Sequence, residues 1–99
     1  MAKFDIYPDP AGKGFLLDVQ TDLLDGLNTR AVIPLRRPKN APRPARWLNP
    51  TFTVGGVDHV LVTQYIAAVP MTILKSPVDN LRHHFAAITA AIDMLIQGF

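Results

Sequence analysis

From Phe85 to Phe99 the chain carries a single charged side chain, Asp93, and no other segment constrains the fold as tightly. Leu81, Phe85, Ile88, Ile92, Leu95 and Phe99 recur in alternating steps of four and three, which predicts one face of a helix. The opposite face holds Ala86, Ala87, Ala90, Met94 and Ile96 where a surface helix would be polar. A helix apolar on nearly every side is either wrapped by core or covered by another chain. With 99 residues in the sequence there is little protein to do the wrapping. The stripe from Leu81 to Leu95 is expected to hold the sheet, and the tip beyond it is expected to be an interaction surface.

The rest of the chain reads as short strands. Phe4 and Ile6 alternate with Lys3, Asp5 and Tyr7, the pattern of a half-buried strand ended by Pro8 and Pro10. Pro10 to Gly14 turns into a second strand, Phe15 to Gln20. Asp25-Gly26-Leu27-Asn28 is turn chemistry, followed by the apolar run Ala31 to Leu35. Pro34 lacks an amide donor, so that strand should end there or lie at an edge or bulge. Thr51–Val54 and His59–Tyr65 flank Gly55-Gly56, a hairpin signal. Val69 to Leu74 is a last strand, and Ser76-Pro77 breaks the chain. Asp79 or Asn80 is placed to cap the helix, and Gly98 to end it. Strands followed by one helix, without βαβ alternation, predict a mainly β fold: a small antiparallel sheet or barrel with a C-terminal helix. The length suits one domain, residues 1–99.

Chemistry is sparse. The chain has no cysteine, no glutamate and one serine, Ser76, which stands directly before Pro77. The absence of thiols excludes disulfides and thiolate metal sites. Asp18, Asp22 and Asp25 together could hold a hard cation, although solvated strand-end and turn residues are the favoured reading. His83 and His84 are adjacent on a helix and point about 100° apart, which leaves helix-surface histidines as the favoured assignment over a site shared with His59. No cofactor or metal is expected. No apolar stretch is long enough to span a membrane and the start does not resemble a signal peptide, so a cytoplasmic location is expected.

Net charge is only +2, but it is unevenly placed. Arg36, Arg37, Lys39, Arg43 and Arg46 sit in one proline-punctuated segment, and no acid occurs between Asp25 and Asp58. With Trp47 beside Arg46, this loop could meet phosphates. A solvated loop with Trp47 packed on the sheet is the favoured reading.

Asp18-Val19-Gln20-Thr21-Asp22-Leu23-Leu24-Asp25, Asn28-Thr29-Arg30 and Val32-Ile33-Pro34-Leu35 resemble the CcdB family of bacterial toxins. The likeness continues through Thr63, Ala67-Ala68-Val69-Pro70 and Ala91-Ile92 to Gly98. It spans the chain almost end to end and fades in the basic loop. The resemblance implies an SH3-like antiparallel barrel with a C-terminal helix, of the CcdB and Kid type, assembled as a homodimer. It further implies a toxin that binds the DNA gyrase A subunit and traps the cleaved gyrase–DNA complex. Such a toxin is neutralised by a CcdA-like antitoxin. It implies a binding protein, with no catalytic residues, no small-molecule substrate and no membrane partner.

Carried onto this sequence, the resemblance places gyrase contacts at Gln97-Gly98-Phe99, where the family commonly opens the tripeptide with tryptophan. Asp93, Ile96, Leu23, Leu24 and, more weakly, Thr21 complete that set. For Leu23 and Leu24, anchoring the loop in the core is an equal alternative. Antitoxin contacts fall on the first hairpin and the basic loop, at Tyr7, Asp9, Lys13, Arg43 and Arg46. Five clustered cations suit an acidic, disordered antitoxin. Two alternatives remain. One is a ribonuclease toxin of the MazF and Kid type, using Arg30, Thr63 or His59 as acid–base groups. The other is a degenerate homologue that only binds antitoxin.

Overall fold

The computed structural model describes residues 2–98. Seven strands, β1 (Asp5–Pro8), β2 (Phe15–Asp18), β3 (Thr29–Arg36), β4 (Thr51–Val54), β5 (Val57–Leu61), β6 (Ala67–Pro70) and β7 (Asp79–Asn80), precede one helix, α1 (Phe85–Gln97). All pairings are antiparallel, in the order β4-β5-β3-β2-β1-β7, with β6 also paired to β3. The result is a small, nearly closed barrel with a C-terminal helix, the architecture read from the sequence.

β3 organises the barrel. Its first half, Thr29 to Val32, pairs with β6, while Leu35 and Arg36 pair with β5. Pro34 falls between the two partners, so its missing amide costs no ladder bond there. Of the three placements expected for Pro34, strand end and edge are excluded, because the strand runs on to Arg36 between β2 and its other partners. Pro34 sits instead at the break between two ladders. Its carbonyl remains in use, accepting from the Val62 amide at 2.9 Å.

The β1–β2–β3 sheet is covered on both faces. Ile6, Leu17, Ile33 and Leu35 join Phe52, Val54, Leu61, Leu81, Ile88 and Ala91 in the larger cluster. Tyr7, Leu16, Val32 and Leu74 form a second cluster on other side chains of the same strands. Strands buried on both faces read as apolar runs rather than as alternation. That corrects the expectation of an outward Tyr7, which is 1% exposed. The covering segment is the one expected to be a strand from Val69 to Leu74. It is β6 followed by a 3₁₀ turn, Met71–Ile73, which brings Leu74 over Tyr7.

Other boundaries shift for local reasons. β2 ends at Asp18, because Gln20 turns away to bond other partners. The segment expected to run as strand from His59 to Tyr65 leaves β5 at Leu61 and tightens into a 3₁₀ turn at Thr63–Tyr65. Asp79 and Asn80 do not cap α1. They pair with β1, and the Asn80 side chain accepts from the Arg82 amide at the 3₁₀ turn Arg82–His84 that precedes the helix. Gly55-Gly56 makes the β4–β5 hairpin, both residues at positive φ, as a two-residue turn of this kind needs.

Candidate functional site

The turn after β2 is built from beneath. Arg30 on β3 and Asp18 on β2 are both fully buried. Arg30 Nε donates to Asp18 Oδ2 at 2.9 Å. Nη2 lies 2.6 Å from the same oxygen but is not aligned for a hydrogen bond. Nη1 donates to Asp25 Oδ1 at 3.2 Å, and Asp22 Oδ1 stands 3.8 Å from Nη2. The three aspartates considered as a cation site therefore surround a guanidinium, and no group of metal-binding side chains exists among the described residues. Burial pushes the Asp18 carboxyl upward, opposed by its bonds to Arg30 and to the Gln20 amide.

Gln20 adds a second tether. Its Oε1 accepts from the Ala31 amide at 3.1 Å and its Nε2 donates to the Leu24 carbonyl at 3.2 Å. Thr21 Oγ1 accepts from the Leu23 amide, closing the 3₁₀ turn Asp22–Leu24. The product is a fixed turn whose apolar side chains point to solvent: Leu23 is 92% exposed, with Leu24 and Leu27 half exposed. This overturns the core-anchor reading of Leu23. Holding such a side chain out forgoes about 1.5–3 kcal/mol of burial.

The helix is equally open. Of α1, only Ile88 and Ala91 are buried, and Ile92 packs partly on the larger cluster. Phe85, assigned to the structural stripe by its spacing, is exposed instead, as is Leu95. Ile96 is 72% exposed, and Gln97 and Gly98 are exposed beside it. Gly98 ends the helix at φ +82, donating to the carbonyls of Asp93 and Met94 at 3.2 and 3.1 Å, a left-handed cap suited to glycine. Asp93 is partly exposed near the negative end of the helix and forms no salt bridge among the described residues. Phe99 lies outside the described residues. The apolar surface continues onto Tyr65, Ile66 and the exposed Ala67 and Ala68 that begin β6.

Beside the helix, Pro44 to Trp47, Asn49 and Pro50 face Ala87 and Ala90 across a cleft of about 570 Å³. Trp47 does not pack on the sheet. It is exposed, at φ +67, with the Arg46 guanidinium 4.9 Å from its ring centre. Arg43, Arg46 and Lys13 are exposed and Asp9 is partly so. Tyr7, named with them, offers almost no surface.

The residues considered for acid–base work are not displayed. Arg30 and Thr63 are fully buried and His59 is 4% exposed, with its Nδ1 2.9 Å from the Val57 carbonyl. His83 and His84 stack on each other and His84 on Phe52. Sequence reasoning missed Arg30 and Gln20 as the supports of the Leu23 turn. Three aspartates within eight residues, followed by one arginine in the next strand, were the available signal. A family model described as CcdB protein matches residues 3–98.

Proposed function

The chain belongs to the CcdB family of toxins, and on that premise we propose that it binds the DNA gyrase A subunit and traps the enzyme on cleaved DNA. It acts in this reading as a homodimer, held off by a CcdA-like antitoxin, and works by binding rather than catalysis. The observation that carries the reading is the rigid, outward turn at Leu23, an apolar group held in solvent by buried Arg30. Ile96, Gln97 and Gly98 at the helix end, with Asp93 one turn back and Phe99 after them, form the second half of the gyrase surface. Thr21 and Leu24 shape the first half.

Dimerisation accounts for the apolar band from Tyr65 to Ala68 and the open face of α1, which resemble a core lacking its other half. Asp93 is easiest to understand if it meets a cation of gyrase, because the helix macrodipole disfavours a carboxylate there. For the antitoxin, Lys13, Arg43 and Arg46 offer charge complementary to an acidic peptide, and Asp9 shapes the hairpin that carries Lys13.

The deciding experiment mixes the purified protein with gyrase, ATP and supercoiled plasmid, then scores linear DNA after denaturation and proteolysis. Linear product that disappears when Gln97-Gly98-Phe99 is removed supports gyrase poisoning. Cleavage of a mixed RNA substrate without linear DNA overturns it in favour of a ribonuclease. Neither product, with antitoxin binding retained, identifies a homologue that has lost toxicity through Gln97.

A further inference from the structure

The tip of the β1–β2 hairpin and the turn after β3 enclose a cleft of which the toxin reading uses only Lys13. Gly12, Lys13, Arg36 and Asn40 line it, around a volume of about 320 Å³. Its walls are fixed by the backbone. Gly14 stands at φ +107, where an added Cβ would overlap the Leu35 carbonyl oxygen, so glycine alone lets the hairpin lie against β3 next to Arg36. The Asp9 amide donates to the Gly14 carbonyl at 2.9 Å and the Gly12 amide to the Asp9 carbonyl at 2.8 Å, which sets Lys13 at the rim. Opposite, the Asn40 amide donates to the Arg37 carbonyl at 2.9 Å, closing the turn that places Asn40.

Arg36 is held rather than free. Its guanidinium carbon lies 5.3 Å from the centre of the Tyr65 ring, and its Nε is buried with no hydrogen-bond partner among the described residues. That Nε is closed to solvent, so only the terminal nitrogens of the guanidinium can meet a ligand in the cleft. Neither Arg36 nor Lys13 forms a salt bridge among the described residues. Asp9, the nearest acid in sequence, accepts from the Ala11 amide and does not line the cleft.

We propose that this cleft is an oxyanion site for a phosphate group, with Arg36 supplying the guanidinium fork, Lys13 a point charge and Asn40 an amide donor. Arginine presents N–H groups in a plane that matches two phosphate oxygens, and lysine adds charge from a second direction. A tetrahedral phosphate can accept from donors on both walls at once, whereas a planar carboxylate is satisfied by the fork alone. The cleft leaves room beside a phosphate for the rest of an ester, from a mononucleotide or from the end of a nucleic acid strand.

The test is a nitrogen-15 amide titration of the intact protein with inorganic phosphate, adenosine monophosphate and a short single-stranded oligonucleotide with a terminal phosphate. Sodium chloride at matched ionic strength is the reference. Saturable shifts confined to Gly12, Lys13, Arg36 and Asn40 are expected with phosphate and the mononucleotide. Lys13→Ala and Arg36→Gln should each weaken binding at least tenfold, while Arg37→Ala, outside the lining, changes it less than twofold. Lys13 is exposed on the hairpin, so its variant decides the matter if Arg36→Gln disturbs the fold. Tighter binding of the oligonucleotide than of the mononucleotide would identify nucleic acid as the source, and equal binding the free ester. Shifts that fail to saturate, match sodium chloride or spread evenly over Lys39, Arg43 and Arg46 would reduce the cleft to general charge screening. Saturation by an acidic peptide but by neither phosphate ligand would overturn the proposal in favour of a carboxylate.

Discussion

Arg30 and Asp18 face each other across β2 and β3 with no exposed surface between them, Nε donating to Oδ2 at 2.9 Å. The same guanidinium reaches Asp25 in the turn that displays Leu23, so in the proposed function the pair also supports the gyrase surface. Removing one partner strands a charge in the interior, which costs about 3–5 kcal/mol. Asp18→Ala is therefore expected to lower the urea midpoint sharply. The double change Asp18→Leu/Arg30→Leu should recover much of that loss, since an apolar pair avoids the desolvation cost. It should not recover the proposed gyrase binding, because the Leu23 turn has lost its Arg30 tether. Restored binding alongside restored stability would separate the ion pair from the display of the turn.

Leu23 gives the cleanest separation of fold from function. At 92% exposure it contributes almost nothing to the folded state. Leu23→Ser is expected to change unfolding free energy by less than about 0.5 kcal/mol, the usual range for surface substitutions. If Leu23 is an anchor in the gyrase interface, truncation should cost at least about 1 kcal/mol of affinity. Calorimetry against the gyrase A subunit, alongside thermal melting of the variant, reads both quantities. Unchanged affinity would remove Leu23 from the interface.

The barrel, the order of its first six strands and the single helix were legible from apolar runs and turn residues, because those signals are local; β7, read as a helix cap, was not. The two-sided burial of β1 was not. Tyr7 looks like the outward member of an alternating strand until Leu74, sixty-seven residues later, closes over it. The Leu23 turn was legible as a family motif but not as a structure, since its support by Arg30 and Gln20 depends on β3 lying alongside β2. Phe85 failed for the converse reason. Its spacing suits the helical stripe, but of α1 only Ile88 and Ala91 are buried, and Phe85 stands 60% exposed.

Asp93 sits where the helix field opposes it. Asp93→Lys places a cation at the negative end of α1 and should leave stability unchanged or raise it by about 0.3–1 kcal/mol. Gyrase poisoning should fall, because a positive charge replaces the carboxylate proposed to meet a gyrase cation. Plasmid linearisation and a thermal melt together check this. A melt lowered by many degrees would instead make Asp93 a structural residue.

Tyr7 provides a pH test of the second cluster. Burial, with the nearby Asp5 and Asp18 carboxylates, raises its phenol from 10.0 to about 12. In that interval the unfolded chain has lost the phenolic proton and the folded chain still holds it, so the folded state binds more protons. Stability must then fall as pH rises from about 10 to about 12, and below about 10 the two states are equally protonated at this site and the effect vanishes. Lysines also titrate in this range, so the comparison is with Tyr7→Phe. That variant keeps the ring, loses only a long 3.5 Å contact to Asp5, and should show a shallower alkaline decline in melting temperature. Parallel declines would mean that the Tyr7 hydroxyl reaches solvent despite the Leu74 cover, and the second cluster would be more open than its packing indicates.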